Sequence, residues 1–378
     1  MTDDTRTEAE GTRAEVAAKH ARLVALLDER ALDGLILNTA GSLSWLLAGA
    51  RVTVDAASGP VFQALVTRSG IDLGIAANEV NRILAEEVPE SLAHDGFVTV
   101  HPVPWYEPLS TFVDSVPGAD QWAIDAEGDH APALRAARAV LLDAELDRYR
   151  HLAQDLATAM SDVLLAAKPE MSELELTADL SHAARRQGAE PLVLLACGEA
   201  RAAYRHPLPT EAKLGRRAML VISGRRKGML AHLTRWVRFG DPKDGEEEFE
   251  TKLLEVEADI FSDLWDGRPL RDMMTTIQRS YPRRFDAEEW TRHHQGGAAG
   301  YVGRDPMLTP DVPDIVQTGQ AFAWNPSAHS QALGIGAKVE DTVVFHGEGP
   351  GPIEVLTADG RWPTATVNGI ARPVTLQL

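Results

Sequence analysis

Histidines, carboxylates and arginines that could move protons or hold a charged substrate are spread in short stretches over the second half of this chain. His206 stands before Pro207 in a loop-like segment, and an imidazole that titrates near neutrality can take and return a proton. His232 lies in a strand-like apolar run beside Thr234. Glu340 sits in the β-like run 337–345, where a carboxylate buried without a partner is costly. His293 and His294 open a polar, glycine-rich stretch that reaches Gly297, and Arg304-Asp305 follows it. A guanidinium offers carboxylates a bidentate fork, so Arg304 is a candidate anion binder. Each has a plainer reading too: a surface histidine, a core histidine bonded to backbone, a tight turn, or a local ion pair worth little. Trp236 and Trp324 fit best as pocket wall.

The elements that must position these residues follow from periodicity. Residues 1–13 are polar and acidic without apolar repeat and read as a disordered tail. Val16, Leu23, Leu26 and Leu27 then predict a helix over 15–30. Short apolar runs at 35–37, 62–66 and 73–76, a turn at Ala40-Gly41-Ser42 and a helix at 79–87 predict an α/β domain. A long amphipathic helix is expected over 143–167, stopped by Pro169. Ser172 with Glu175 reads as a capping box opening a second helix that ends near Gly188. Beyond Pro191 come short strands, hairpin-like turns and helices near 246–265 and 270–280. The expected organisation is a tail at 1–13, a smaller α/β domain at 14–140 and an α+β domain at 141–378.

Composition narrows the partners. The chain has 378 residues, 44% apolar and 25% charged, enough to bury a proper core. Its 37 basic and 56 acidic side chains leave a net charge of −19, which argues against nucleic acid and anionic lipid. The single cysteine, Cys197, excludes an internal disulfide and a cysteine-based zinc cage. The longest apolar stretches, such as that around residues 192–197, are too short to span a bilayer. No secretory signal is visible, so a cytoplasmic location is expected.

Several segments resemble, in order, landmarks of the creatinase/prolidase/aminopeptidase P superfamily, the pita-bread fold. Lys168-Pro169-Glu170-Met171-Ser172-Glu173 is similar to its Lys-Pro-Gly-Met-Thr-Glu lead, and Tyr204-Arg205-His206-Pro207 to its substrate-side histidine loop. Residues Gly228 to Arg235 resemble Gly-Tyr-x-Ser-Asp-x-Thr-Arg, and His293 to Asp305 resemble His-Gly-x-Gly-His-x-x-Gly-x-x-x-His-Glu without a gap. Gln317 to Pro326 and Gly336 to Thr342 resemble the two glutamate-bearing segments. In the first half, Asp33 to Leu37 and Ser44 to Arg51 resemble the family's N-terminal domain. The resemblance implies a pita-bread C-terminal domain of the M24 peptidase type behind a creatinase N-terminal-like domain.

It also implies two metal ions held by two Asp, one His and two Glu, since hard ions take anionic oxygen. Here those positions fall on Val221, His232, Gly297, Asn325 and Glu340, so only the last keeps its ligand. No metal and no cofactor are therefore expected, although His232, Glu340 and His294 could hold a single zinc or iron after a register shift. Creatinase shares the fold, needs no metal and uses the histidine of the His206 loop. That analogy makes His206, His232 and Glu340 the catalytic candidates. His293, His294, Arg304, Asp305, Trp324, Asn325 and Arg51 are the substrate-binding ones. Three functions stay open: a metal-independent hydrolase of a C–N bond in a small polar metabolite, an Xaa-Pro metallopeptidase, and a non-catalytic binding protein. A homodimer is implied, Arg51 of one subunit closing the other's site.

Overall fold

The computed structural model describes residues 3–378 apart from 56, 89–91, 93–95, 117–121, 126, 127, 129 and 349–351. The chain divides into two compact units, Met1–Arg138 with Leu142–Glu145, and Ala139–Leu141 with Leu146–Leu378. The expected boundary at 140 falls inside that interleaved stretch.

In the first unit, α1 (Asp3–Arg30) is followed by β1 (Gly34–Leu37), α2 (Ala40–Leu46), β2 (Phe62–Thr67), β3 (Gly70–Ala76), α3 (Val80–Glu86), β4 (Val98–Val103), β5 (Trp122–Ile124) and α4 (His130–Ala139). The sheet order is β4-β3-β2-β1-β5. β1, β2 and β3 pair antiparallel, whereas β4 and β5 join parallel at the edges, giving a mixed sheet. Two expectations need correcting. The tail at 1–13 is the first part of α1 from Asp3 onward; with no proline among them, Arg6, Glu8, Ala9 and Glu10 extend a helix already nucleated downstream. The turn at Ala40-Gly41-Ser42 is the first turn of α2, because the Thr39 hydroxyl caps it by accepting from the Ser42 amide.

The second unit holds α5 (Asp143–Leu165, counted from its start), α6 (Glu173–Arg186), β6 (Glu190–Gly198), β7 (Arg217–Arg226), β8 (Met229–Arg238), α7 (Glu246–Ser262) and α8 (Met273–Ser280). Then come β9 (Gly296–Ala298), β10 (Gln320–Trp324), β11 (Ser327–Ser330), β12 (Ile335–Lys338), β13 (Asp341–Phe345), β14 (Ile353–Val355), β15 (Thr364–Val367), β16 (Ile370–Pro373) and β17 (Leu376–Gln377). The α5 stripe of Tyr149, Leu152, Leu156, Met160 and Leu164 is buried, as its period requires. Ser172 and Glu175 form the reciprocal capping box of α6.

Two four-stranded sheets organise this unit, β17-β8-β7-β6 and β14-β13-β10-β9. They meet where Thr234 of β8 bridges Glu340, its amide donating to the Glu340 carbonyl at 3.0 Å. Behind the second sheet, Phe261 of α7, Ile277 of α8 and Tyr281 just after it pack against Phe322, Trp324 and Phe345. Among the described residues, no helix is long and apolar enough to cross a membrane.

Candidate active site

A cavity of about 380 Å³ gathers His206, His232, His294, Arg304, Asn325 and Glu340 from five separate segments. β7 and β8 supply its floor. Their register sets Ser223 opposite His232 and Val221 opposite Thr234, and strand alternation turns Val221, Ser223 and His232 to the same side. The Thr342 hydroxyl accepts from the His232 amide at 2.7 Å and donates to its carbonyl at 3.1 Å, which fixes this strand against the 340–342 segment. His206 arrives on a loop pinned by its neighbour: Arg205 pairs with buried Glu289 and donates to Ser327 Oγ at 3.2 Å. Glu289 also accepts from the His329 amide and from Arg292, so one carboxylate ties several segments beneath that loop.

The electrostatics are those of fixed charge beside neutral imidazole. Glu340 accepts from Arg304 Nη2 at 2.7 Å through one oxygen and from Thr234 Oγ1 at 2.9 Å through the other. Burial pushes its carboxyl up, but the charges of Lys338 and Arg304 outweigh this and hold it down at about 2. It is a permanent anion at neutral pH. His232 shares a 2.7 Å hydrogen bond with Ser223 Oγ through Nδ1, while its Nε2 is buried without a partner. Burial first, then the Arg304 charge, lowers it to about 3, so it stays neutral. His206 Nε2 lies 3.0 Å from His293 Nε2, and the rings of His293 and His294 stack with centroids 4.4 Å apart. Burial lowers all three, His293 to about 2 and His294 to about 4.

Lys338 lies outside the expected set. It lines the cavity and is 7% exposed. Its amine has no hydrogen-bond or ion-pair partner among the described residues, and burial lowers it against the opposing pull of Glu340. The signal was present in the sequence, because residues two apart in an extended run share a face and Lys338 precedes Glu340 by two. Ser223 and Thr234 were missed for another reason: their partners come from other segments.

Other expected residues lie elsewhere. Trp324 is a correction: it faces the core, stacked on Phe322 at 5.8 Å, because alternation along β10 sends it to the side opposite Asn325. Asp305 is not among the residues lining the cavity. Arg51 belongs to the first unit, paired with Glu86 and Glu87 at 2.6 Å each.

The donor set can be tested against the two ions that the resemblance implies, and it does not fit them. Val221 carries no ligand atom. At Gly297 a Cβ would collide with the Pro306 carbonyl and lie 2.9 Å from the Leu308 amide nitrogen. Glu340 already spends both oxygens on Arg304 and Thr234. The single-ion alternative of His232, Glu340 and His294 meets the same obstacle, and His294 stacks on His293 instead.

Comparison with known proteins agrees on the fold. The model of metallopeptidase family M24 matches residues 147–346, more than half of the chain. The prolidase from Pyrococcus horikoshii OT3 superposes with a TM-score of 0.74 at 15% identity, covering 91% of this chain and 99% of its own. The Xaa-Pro dipeptidase from Bacillus anthracis gives 0.72 at 17% identity, covering 96% and 100%. Dipeptidase PepE from Mycobacterium ulcerans gives 0.74 at 17% identity, covering 97% and 99%. No curated sequence matches the chain. The architecture is thus an α/β domain followed by a pita-bread domain, as the motifs imply.

Proposed function

Because the chain belongs to metallopeptidase family M24, we propose that it hydrolyses a peptide-type C–N bond in a small anionic substrate, with side chains acting where relatives use ions. The observation that carries this reading is the group Glu340, Arg304 and Lys338, a guanidinium and a buried amine around one buried carboxylate at the mapped ion position. Prealigned positive charge stabilises the oxyanion that forms when water adds to a carbonyl. Lys338, without a competing partner, is the group free to meet that oxygen or a substrate carboxylate.

His206 is the general base in this reading. It is exposed on its loop, burial of part of the ring lowers it so that it is neutral near pH 7, and its Nε2 meets His293 Nε2. It takes a proton from the attacking water and returns it to the departing amine. His232 orients within the floor through Ser223. Glu340 holds Arg304 in place rather than transferring protons, a change from the role first expected of it.

The fold relatives favour peptide substrates over a creatinase-like metabolite, so an Xaa-Pro dipeptide is the first substrate to try. Untagged protein should cleave members of a dipeptide panel in EDTA, and His206→Gln should lower kcat by about 10²–10⁴-fold. Cleavage seen only with added Mn²⁺ would give the metallopeptidase reading instead. No turnover across the panel, with tight binding of dipeptides retained, would make the chain a binding protein.

A further inference from the structure

We propose that His206, His293 and His294 form a mononuclear site for a borderline divalent ion, zinc above all, distinct from the carboxylate-rich two-ion site of the family. One ligand atom from each of the three lies within 4.8 Å of the others. Among the described residues this is the group of histidine, cysteine and carboxylate side chains that comes together so closely. The His206 and His293 nitrogens, 3.0 Å apart, already have about the separation of two ligands bound to one ion at roughly 2.0–2.1 Å each. A modest closure of His294 completes a three-ligand set with a fourth position left for water.

A second observation points to a ligand. His294 Nδ1 is buried without a hydrogen-bond partner, and His293, 8% exposed, has His206 as the one hydrogen-bond partner of its ring among the described residues, through Nε2. Imidazoles crowded and unsatisfied in this way are poor packing residues and good ligands. Their neutral form, favoured here by burial, is the form that binds metal. The donors also select the ion. Three imidazoles with no carboxylate or thiolate suit zinc, cobalt, nickel or copper and discriminate against magnesium, calcium and manganese. Glu340 lends negative charge from nearby, while Lys338 and Arg304 oppose it, so a bound dication drives the Lys338 amine toward its neutral form.

This goes beyond the proposed function and is in competition with it, since an ion would occupy the His206 lone pair that proton transfer needs. Loading and hydrolysis should therefore exclude each other.

The test uses untagged full-length protein stripped with chelator. Titration with Co²⁺ should raise a ligand-field absorption band that saturates at one ion per chain. Zn²⁺ should displace it and raise the thermal midpoint. His294→Ala and His293→Ala should each weaken Zn²⁺ binding at least about 100-fold, a larger loss than removing a residue that only supports a ligand. His329→Ala, in a different hollow, should bind as the native chain does. Absence of a saturable band, or equal binding by His294→Ala, overturns the site, and so does a thermal shift by Zn²⁺ that persists in both variants. These readouts do not depend on hydrolysis, so a failure of the proposed function leaves them intact.

Discussion

Glu340 and Asp341 are adjacent, both buried and both paired with arginine, yet they serve opposite faces of the same strand segment. On the Asp341 side, one oxygen accepts from Arg235 at 2.7 Å and from Thr357 at 2.6 Å, and the other from Arg372 at 2.6 Å. Arg372 continues to Glu257 through two hydrogen bonds of 2.6 and 2.9 Å. Two arginines meet two carboxyls whose four oxygens are all taken, although Arg235 also lines a separate hollow beside Trp236. On the Glu340 side one anion faces Arg304 and Lys338, and the surplus cation lines an open space. The lesson is that a buried arginine–carboxylate pair says nothing about function by itself. What separates scaffold from site is whether the charges balance and whether anything is left for a ligand to satisfy.

The sharpest way to break this contrast is to remove a partner on each side. Arg372→Met strands Glu257 beside Asp341, which keeps Arg235 and Thr357, and should cost about 3–5 kcal/mol, read as a lowered urea midpoint. If Arg304→Met costs as much, the pocket pair is structural too and the contrast fails. Lys338→Met should act the other way round: it removes a buried amine without a partner, so the urea midpoint should hold or rise. Binding of an anionic dipeptide, measured by calorimetry, should weaken about 10–100-fold. A fall in stability with binding unchanged would mark Lys338 as scaffold.

A subtler separation lies in acid. His232, His293 and His294 have folded-state values of about 3, 2 and 4, below the usual 6.5 or so. Below about pH 6.5 the unfolded chain takes up protons that the folded chain refuses, so stability falls as pH drops. Glu340 adds its own loss between about 4.5 and 2, since its folded value is depressed. Urea midpoints from pH 8 to 5 should decline, and His232→Asn should make that decline shallower. A flat profile would mean that these imidazoles are not held neutral.

Local grammar made much of the fold readable. The Ser172–Glu175 box, the Pro169 stop and the α5 stripe each depend on residues a few positions apart, and each is where the periodicity puts it. The pocket was readable only in part, since His206, His232, His294, Arg304, Asn325 and Glu340 come together through strand register across more than a hundred residues. Trp324 shows the limit from the other side, for its proximity in sequence to Asn325 concealed that neighbours on a strand point apart. The Thr234–Glu340 bond and the His206–His293 contact join positions 106 and 87 residues apart, and no short window of sequence contains either.

Gly297 carries a consequence for anyone hoping to rebuild a metallopeptidase here. Because its α-carbon is wedged against the Pro306–Leu308 backbone, a histidine placed there cannot be accommodated until that neighbouring segment retreats. Restoring aspartates and glutamates at the other positions would then leave a vacancy that no single codon change can fill. Any side chain larger than hydrogen at this position of β9 therefore needs a change in the main chain first.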